Sequence, residues 1–206
     1  RAHQFSEFPS QNINGIIQRV TYPILCGIQD DKERLERIYR KFLKLSAYVV
    51  FPLMIGLSAV ARPFIDIALG KQWGFCGQLL QIICFAMMWY PIHAINLNLL
   101  QVKGRSDLFL RLEIIKKILG ITVLCITAPF GLVVMCYGQI FNSIVALVIN
   151  TYYTGKLINV GFIRQMKDLL PTLLLSLTMF GAILLVNGFI EVNMHRLVIG
   201  VLVGLI

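Results

Sequence analysis

The stretch from Ile118 to Gly155, ILGITVLCITAPFGLVVMCYGQIFNSIVALVINTYYTG, runs for 38 residues without one charged side chain. About 20 apolar residues of helix span the hydrocarbon core of a bilayer, so this run is too long for one crossing and long enough for two. The reversal lies near its middle. In Thr127-Ala-Pro-Phe-Gly131 the proline lacks a helical donor and the glycine frees the backbone, which predicts a helical hairpin folded there. Two adjacent crossings make this a polytopic membrane protein.

Composition agrees. Hydrophobic residues make up 57% of the 206 residues and charged residues 14%, and the mean hydropathy is +0.76, far from the balance of a soluble domain. The chain begins on Arg1 and stops within the apolar Val201–Ile206, so it reads as a piece of a longer protein, and the lack of a signal peptide carries no information.

Charge-free runs delimit six crossings, at about 9–28, 43–69, 75–101, 109–129, 131–154 and 168–190, within a membrane domain 1–190; residues 195–206 begin a further, truncated helix. The expected fold class is all-α, a transmembrane helical bundle. The connections between crossings alternate in charge. Fourteen of the 19 basic residues fall in three of them: Lys32 to Lys44, Lys103 to Lys117, and Lys156 to Lys167. Short loops rich in Lys and Arg stay cytoplasmic, which runs the first crossing from outside to inside. Basic residues split among three loops do not form the continuous soluble face that nucleic acid needs, so the net charge of +9 does not indicate nucleic-acid binding. The stretch Asp30–Lys44 reads as a surface helix running into the second crossing. Its acids precede its bases, and Glu33/Arg37 and Glu36/Arg40 stand at ion-pair spacing.

Five cysteines without Cys-x-x-Cys spacing lie mostly within apolar runs, where cysteine acts as a small hydrophobe, so neither disulfides nor a metal site is expected. No phosphate loop, His-Glu-x-x-His or paired carboxylate is present, and neither enzymatic activity nor a cofactor is expected. The Gly200-x-x-x-Gly204 spacing is a helix-packing motif.

Polar side chains inside the crossings carry the functional information, because each costs free energy unless it faces protein or a water-filled path. In the fifth crossing Gln139, Asn142, Ser143 and Asn150 share one helix face with Ala146, suited either to interhelical hydrogen bonds or to lining a cavity. In the first, Asn12 and Arg19 share a face with Gly15 and Tyr22, and Gln11, Asn14, Gln18 and Thr21 a neighbouring one. More than half of that helix cannot face lipid. A guanidinium at Arg19 could hold a diphosphate or carboxylate by two parallel hydrogen bonds, or snorkel to the surface. In the third crossing Trp89, His93, Asn96 and Lys103 form a stripe in which His93 could couple to protons or serve packing. Lys116 and Lys117 add positive charge within reach of a bound anion. Pro23, Pro52 and Pro91 interrupt crossings, as in transporters that build sites near the midplane.

Several of these stretches also carry a family resemblance. Gln18-Arg-Val-Thr-Tyr-Pro-Ile-Leu25, Ile28-Gln-Asp-Asp-Lys-Glu-Arg-Leu35, Phe51-Pro-Leu-Met-Ile-Gly-Leu57, Ala68-Leu-Gly-Lys-Gln-Trp73 and Val102-Lys-Gly-Arg-Ser-Asp-Leu108 follow one another in order. Together they resemble the polysaccharide-transporter branch, the O-antigen and lipopolysaccharide flippases, of the multidrug/oligosaccharidyl-lipid/polysaccharide exporter superfamily. The resemblance implies a two-lobe, MATE-like transporter fold of which this chain is the second lobe, in a bacterial inner membrane. It implies an undecaprenyl-diphosphate-linked oligosaccharide as substrate, membrane lipid as surroundings, and sodium or protons as the candidate coupling ion. Arg19 matches a basic position before the family's proline, here Pro23. The residues expected to line the substrate path are Asn12, Gln18, Arg19, His93, Asn96, Lys116, Gln139, Asn142 and Asn150. A multidrug exporter of the same fold, or a membrane-embedded O-antigen polymerase or glycosyltransferase, are the rival readings.

Overall fold

A computed structural model describes Gly15 and residues 17–189 of the chain. Asn12, Gln11, Asn14, the beginning of the first crossing, and the helix expected at 195–206 with its Gly200–Gly204 pair lie outside the described residues.

The described chain is a bundle of helices. We number them α1 (17–27), α2 (Lys32–Ala59), α3 (Ala61–Ala68), α4 (Gly74–Met87), α5 (Tyr90–Val102), α6 (Ser106–Thr127), α7 (Leu132–Ile158) and α8 (Phe162–Phe189). Four segments are long and apolar enough to cross a membrane: Lys32–Ala59, Lys71–Val102, Leu132–Ile158 and Phe162–Leu185. The 22 residues of α6 would reach about 33 Å, but Arg111, Glu113, Lys116 and Lys117 crowd its first half.

Local chemistry sets the helix ends. Asp31 caps α2, its carboxylate accepting the Arg34 backbone N–H at 3.0 Å, and Glu33 occupies the first turn, where the helix dipole favours an acid. The basic stretch and the apolar run after it thus form one helix. The charge-free run folds back through a 3₁₀ turn at Ala128–Phe130 onto Gly131, whose φ of +95° is rarely open to an L-residue. Above the turn, a Cβ at Gly138 would stand 3.0 Å from side-chain carbons of Val123 and Thr127, so the glycine lets α7 approach α6 closely.

The core follows from the apolar periodicity of α2. Leu35, Tyr39, Leu43, Ala47, Val50, Phe51 and Met54 recur at helical spacing and are buried. They pack on Ile92, Ile95 and Leu99 of α5, with Phe51 edge-on to Trp89 at 5.2 Å. The outer surface is apolar too: Ile118, Ile121 and Ile126 of α6, Phe141 and Tyr152 of α7, and Leu174, Leu175 and Leu185 of α8 are exposed. Water would not tolerate such a surface; hydrocarbon does.

Helix α2 makes its largest contact with α8. Three interhelical ion pairs mark it. Arg164 meets Glu36 at 3.2 Å, and Arg40 meets Asp168 with a fork of two hydrogen bonds at 2.6 and 2.9 Å; Lys44 reaches the same carboxylate at 3.0 Å. Glu36 and Arg40, expected to pair along their own helix, therefore pair across to α8. The Arg164–Glu36 and Arg40–Asp168 pairs each join residues 128 apart, so the two helices run parallel with their N-termini at one end of the bundle. At that same end Lys103 donates to the backbone carbonyl of Gln29. The three basic connections are gathered there.

Candidate functional site: a polar pocket between α4, α5, α6 and α7

The apolar bundle holds two clusters of polar side chains, and they differ in kind. The first is closed. Asn96 of α5 sits in the core, and its Oδ1 accepts from the Tyr39 hydroxyl at 2.9 Å, the Thr154 hydroxyl at 2.7 Å and Gln165 Nε2 at 3.2 Å. Its Nδ2 donates to the Ile92 carbonyl at 2.9 Å and to Gln165 Oε1 at 3.2 Å. All four side chains are fully buried and draw α2, α5, α7 and α8 to one point. Asn96, expected on the substrate path, spends its hydrogen-bonding capacity on protein partners.

The second cluster is open. Helix α4 ends at Met87 and α5 starts at Tyr90 with Pro91 in its first turn, and this break sets His93 against α7. His93 Nε2 lies 3.2 Å from the Ser143 hydroxyl, which itself donates to the Ala86 carbonyl at 3.1 Å. Ser143 has a single hydroxyl hydrogen, so it must accept from His93, which places the imidazole proton on Nε2. Nδ1 is then the acceptor, and Asn150 Nδ2 stands 3.4 Å from it. Asn150 Oδ1 is buried without a hydrogen-bond partner.

Beside this chain is a cavity of about 230 Å³ whose polar walls are Tyr90, His93, Lys116, Gln139, Asn142 and Ser143. The stripe read on α7 therefore faces one pocket: Gln139, Asn142, Ser143 and Ala146 line it, and Asn150 stands behind His93. Lys116 enters from α6 with its side chain 15% exposed, paired one turn away with Glu113. The wall thus offers amide donors and acceptors, a phenol and a positive charge with a carboxylate partner. It suits hydroxyl-rich or anionic groups. Gln139 also borders an adjoining apolar groove of about 540 Å³ with Trp73, Phe75, Leu79 and Met135.

Of the residues expected on the path, His93, Lys116, Gln139 and Asn142 come together here and Asn150 joins through His93, whereas Asn96 belongs to the closed cluster. Arg19 and Gln18 lie on α1 and do not line the pocket; Arg19 is exposed and Gln18 half-buried. Residues that periodicity alone did not single out include Tyr39, Thr154 and Gln165. Tyr39 had one legible signal, a hydroxyl on the buried stripe of α2 that had to find a partner.

These features define a multi-pass, all-helical membrane protein with a small polar pocket inside its bundle. Residues 1–78 match the family model described as polysaccharide biosynthesis protein. The chain is 38% identical over 120 residues, 56% of its length, to an uncharacterized membrane protein in the cps region of Klebsiella pneumoniae. It is 27% identical over 150 residues, 73% of its length, to the lipopolysaccharide biosynthesis protein WzxC of Escherichia coli (strain K12). Those matches cover 24% and 30% of the relatives' own length, so the chain spans well under half of either. Its fold is that of the lipid II flippase MurJ in an inward closed conformation, with a TM-score of 0.76 at 18% identity over 99% of this chain and 45% of that one. The resemblance to the polysaccharide transporters read in the sequence is borne out, and the chain is a multi-pass membrane protein.

Proposed function

We propose that the protein carrying this chain is a flippase that moves a lipid-linked oligosaccharide across the membrane for surface-polysaccharide assembly. The chain supplies the helices of one lobe, the second, and a partner lobe rocks against it to give alternating access. The observation that carries this reading is the open pocket of Tyr90, His93, Lys116, Gln139, Asn142 and Ser143 inside a largely apolar bundle. A sugar presents many hydroxyls, and an amide-rich wall replaces their water. The lipid is undecaprenyl diphosphate, its chain remaining in the bilayer. Its diphosphate needs positive charge, which Lys116 and the exposed Arg19 offer. The bundle end that gathers the basic connections faces the cytoplasm. The protein performs no covalent step, and sodium or protons energise the cycle.

The test is a deletion strain. Lipid-linked repeat units should accumulate on the cytoplasmic leaflet while surface polysaccharide is lost, and the Asn142→Ala protein should complement poorly despite normal abundance. Normal surface glycan together with heightened sensitivity to cationic drugs would refute the reading in favour of a drug exporter.

A further inference from the structure

A second cavity, of about 390 Å³, opens between α2 and α8 at the end where the basic connections gather. Its walls are Lys41, Lys44 and Tyr48 from α2 and Lys167, Asp168 and Thr172 from α8. The charge is lopsided. Asp168 is 6% exposed and already held by both Arg40 and Lys44, while Lys41 and Lys167 are exposed and have no ion-pair partner among the described residues. One carboxylate therefore faces four cations, and the mouth of the cavity keeps a net positive charge.

Two prolines shape the wall. Pro52 in α2 and Pro171 in α8 lie inside their helices, and each lacks the N–H that would bond the carbonyl four residues earlier. Those carbonyls belong to Tyr48 and Lys167, both of which line the cavity. Just past Tyr48 and Lys167 the surface turns apolar: Val49 and Leu53 on α2 and Leu170, Leu174 and Leu177 on α8 are exposed. Cationic donors and an apolar track follow one another along the helix axes. A phospholipid has that same order of anionic phosphate and acyl chain.

We infer that this cavity binds the headgroup of an anionic phospholipid from the leaflet on the basic side, with its phosphate between Lys41 and Lys167 and its acyl chains along the α2–α8 surface. The inference requires only that the bundle sits in a bilayer, and it is independent of what the protein transports.

The experiment is a lipid titration of the purified, detergent-solubilised protein by native mass spectrometry, using dioctanoyl phosphatidylglycerol, dioctanoyl phosphatidylcholine, and inorganic phosphate as competitor. Phosphatidylglycerol should bind first. The Lys41→Gln/Lys167→Gln protein should bind it about thirtyfold more weakly, from the usual contribution of two interfacial lysines. Lys41→Arg/Lys167→Arg should stay within a few-fold of the wild type, as should Lys32→Gln/Arg34→Gln, which removes the same charge elsewhere on α2. The inference is overturned by undiminished binding to the glutamine variant, by equal affinity for phosphatidylcholine, by an equal loss in the Lys32/Arg34 control, or by a loss in the arginine variant. Complete displacement of the lipid by millimolar phosphate would also overturn it, marking a site for a soluble anion.

Discussion

Replacing Asn96 by alanine tests whether the closed polar cluster holds four helices together. In the wild type three donors converge on Asn96 Oδ1: Tyr39 at 2.9 Å, Thr154 at 2.7 Å and Gln165 at 3.2 Å. An interhelical hydrogen bond in a membrane protein is worth about 0.6 kcal/mol on average, so the four lost with Asn96, these three and the one its Nδ2 donates to Gln165, amount to about 2 kcal/mol. The donors are also left buried without an acceptor. Each such group can cost about 1–3 kcal/mol, although Gln165 retains the Val160 carbonyl at 3.0 Å as a partner. Asn96→Ala should therefore destabilise the protein by about 2–4 kcal/mol. Tyr39→Phe removes one donor and leaves Oδ1 the other two, so it should cost only about 0.6 kcal/mol. The assay is reversible unfolding in mixed micelles, followed by circular dichroism as the fraction of SDS is raised. In the double variant the tyrosine change should add almost nothing, since its partner is already gone. Equal losses for the two single variants, or strict additivity in the double, would show that Asn96 is not the hub.

Other outcomes follow from particular residues. Gln139→Ala and Asn142→Ala should reduce transport by the whole protein at least several-fold in a vesicle flipping assay, with unfolding midpoints unchanged, because both line the open pocket and lie outside the closed network. Gly138→Leu should cost about 1–3 kcal/mol in the same unfolding assay, because the Val123 and Thr127 side chains already stand 3.0 Å from where its Cβ would lie. Cysteines placed at 105 and 164, in a background lacking the five native ones, should resist an impermeant thiol reagent in intact cells, whereas one at 71 should react; labelling at 105 or 164 would invert the topology.

The fold was legible wherever one residue type permits few conformations. Pro129 and Gly131 announced the reversal between α6 and α7, whereas Asp30–Lys44, read as a surface helix, buries Leu35, Tyr39 and Leu43. The stripe of Gln139, Asn142, Ser143 and Asn150 was also legible, since helical periodicity alone sets which residues share a face. Pairing between elements was not. The stripe Trp89, His93, Asn96 and Lys103 divides in the structure: Trp89 packs on Phe51, His93 turns to α7, Asn96 to Tyr39 and Gln165, and Lys103 to Gln29. Which neighbour a polar group meets depends on how helices distant in sequence are arranged, and one helix's periodicity does not contain that. Glu36 and Arg40 illustrate it, their spacing along α2 suggesting a partnership that α8 took over.

The alternating charges on α2 and α8 also bear on how the protein assembles. A hydrophobic helix in a bilayer can slide past its neighbour by one turn, about 5.4 Å, at little cost, because the lipid on either side looks the same and apolar faces repeat every three to four residues. Here such a slip is not neutral. Moving α2 one turn along α8 would bring Arg40 opposite Arg164 and leave Glu36 facing no cation, so the wrong alignment carries like-charge repulsion. The acid–base order acts as a vernier, rejecting misaligned pairings that hydrophobicity cannot distinguish. Since α8 emerges from the ribosome more than a hundred residues after α2, the early helices must wait in the membrane with this half of the code unread, and their final alignment is settled only when Arg164 and Asp168 arrive.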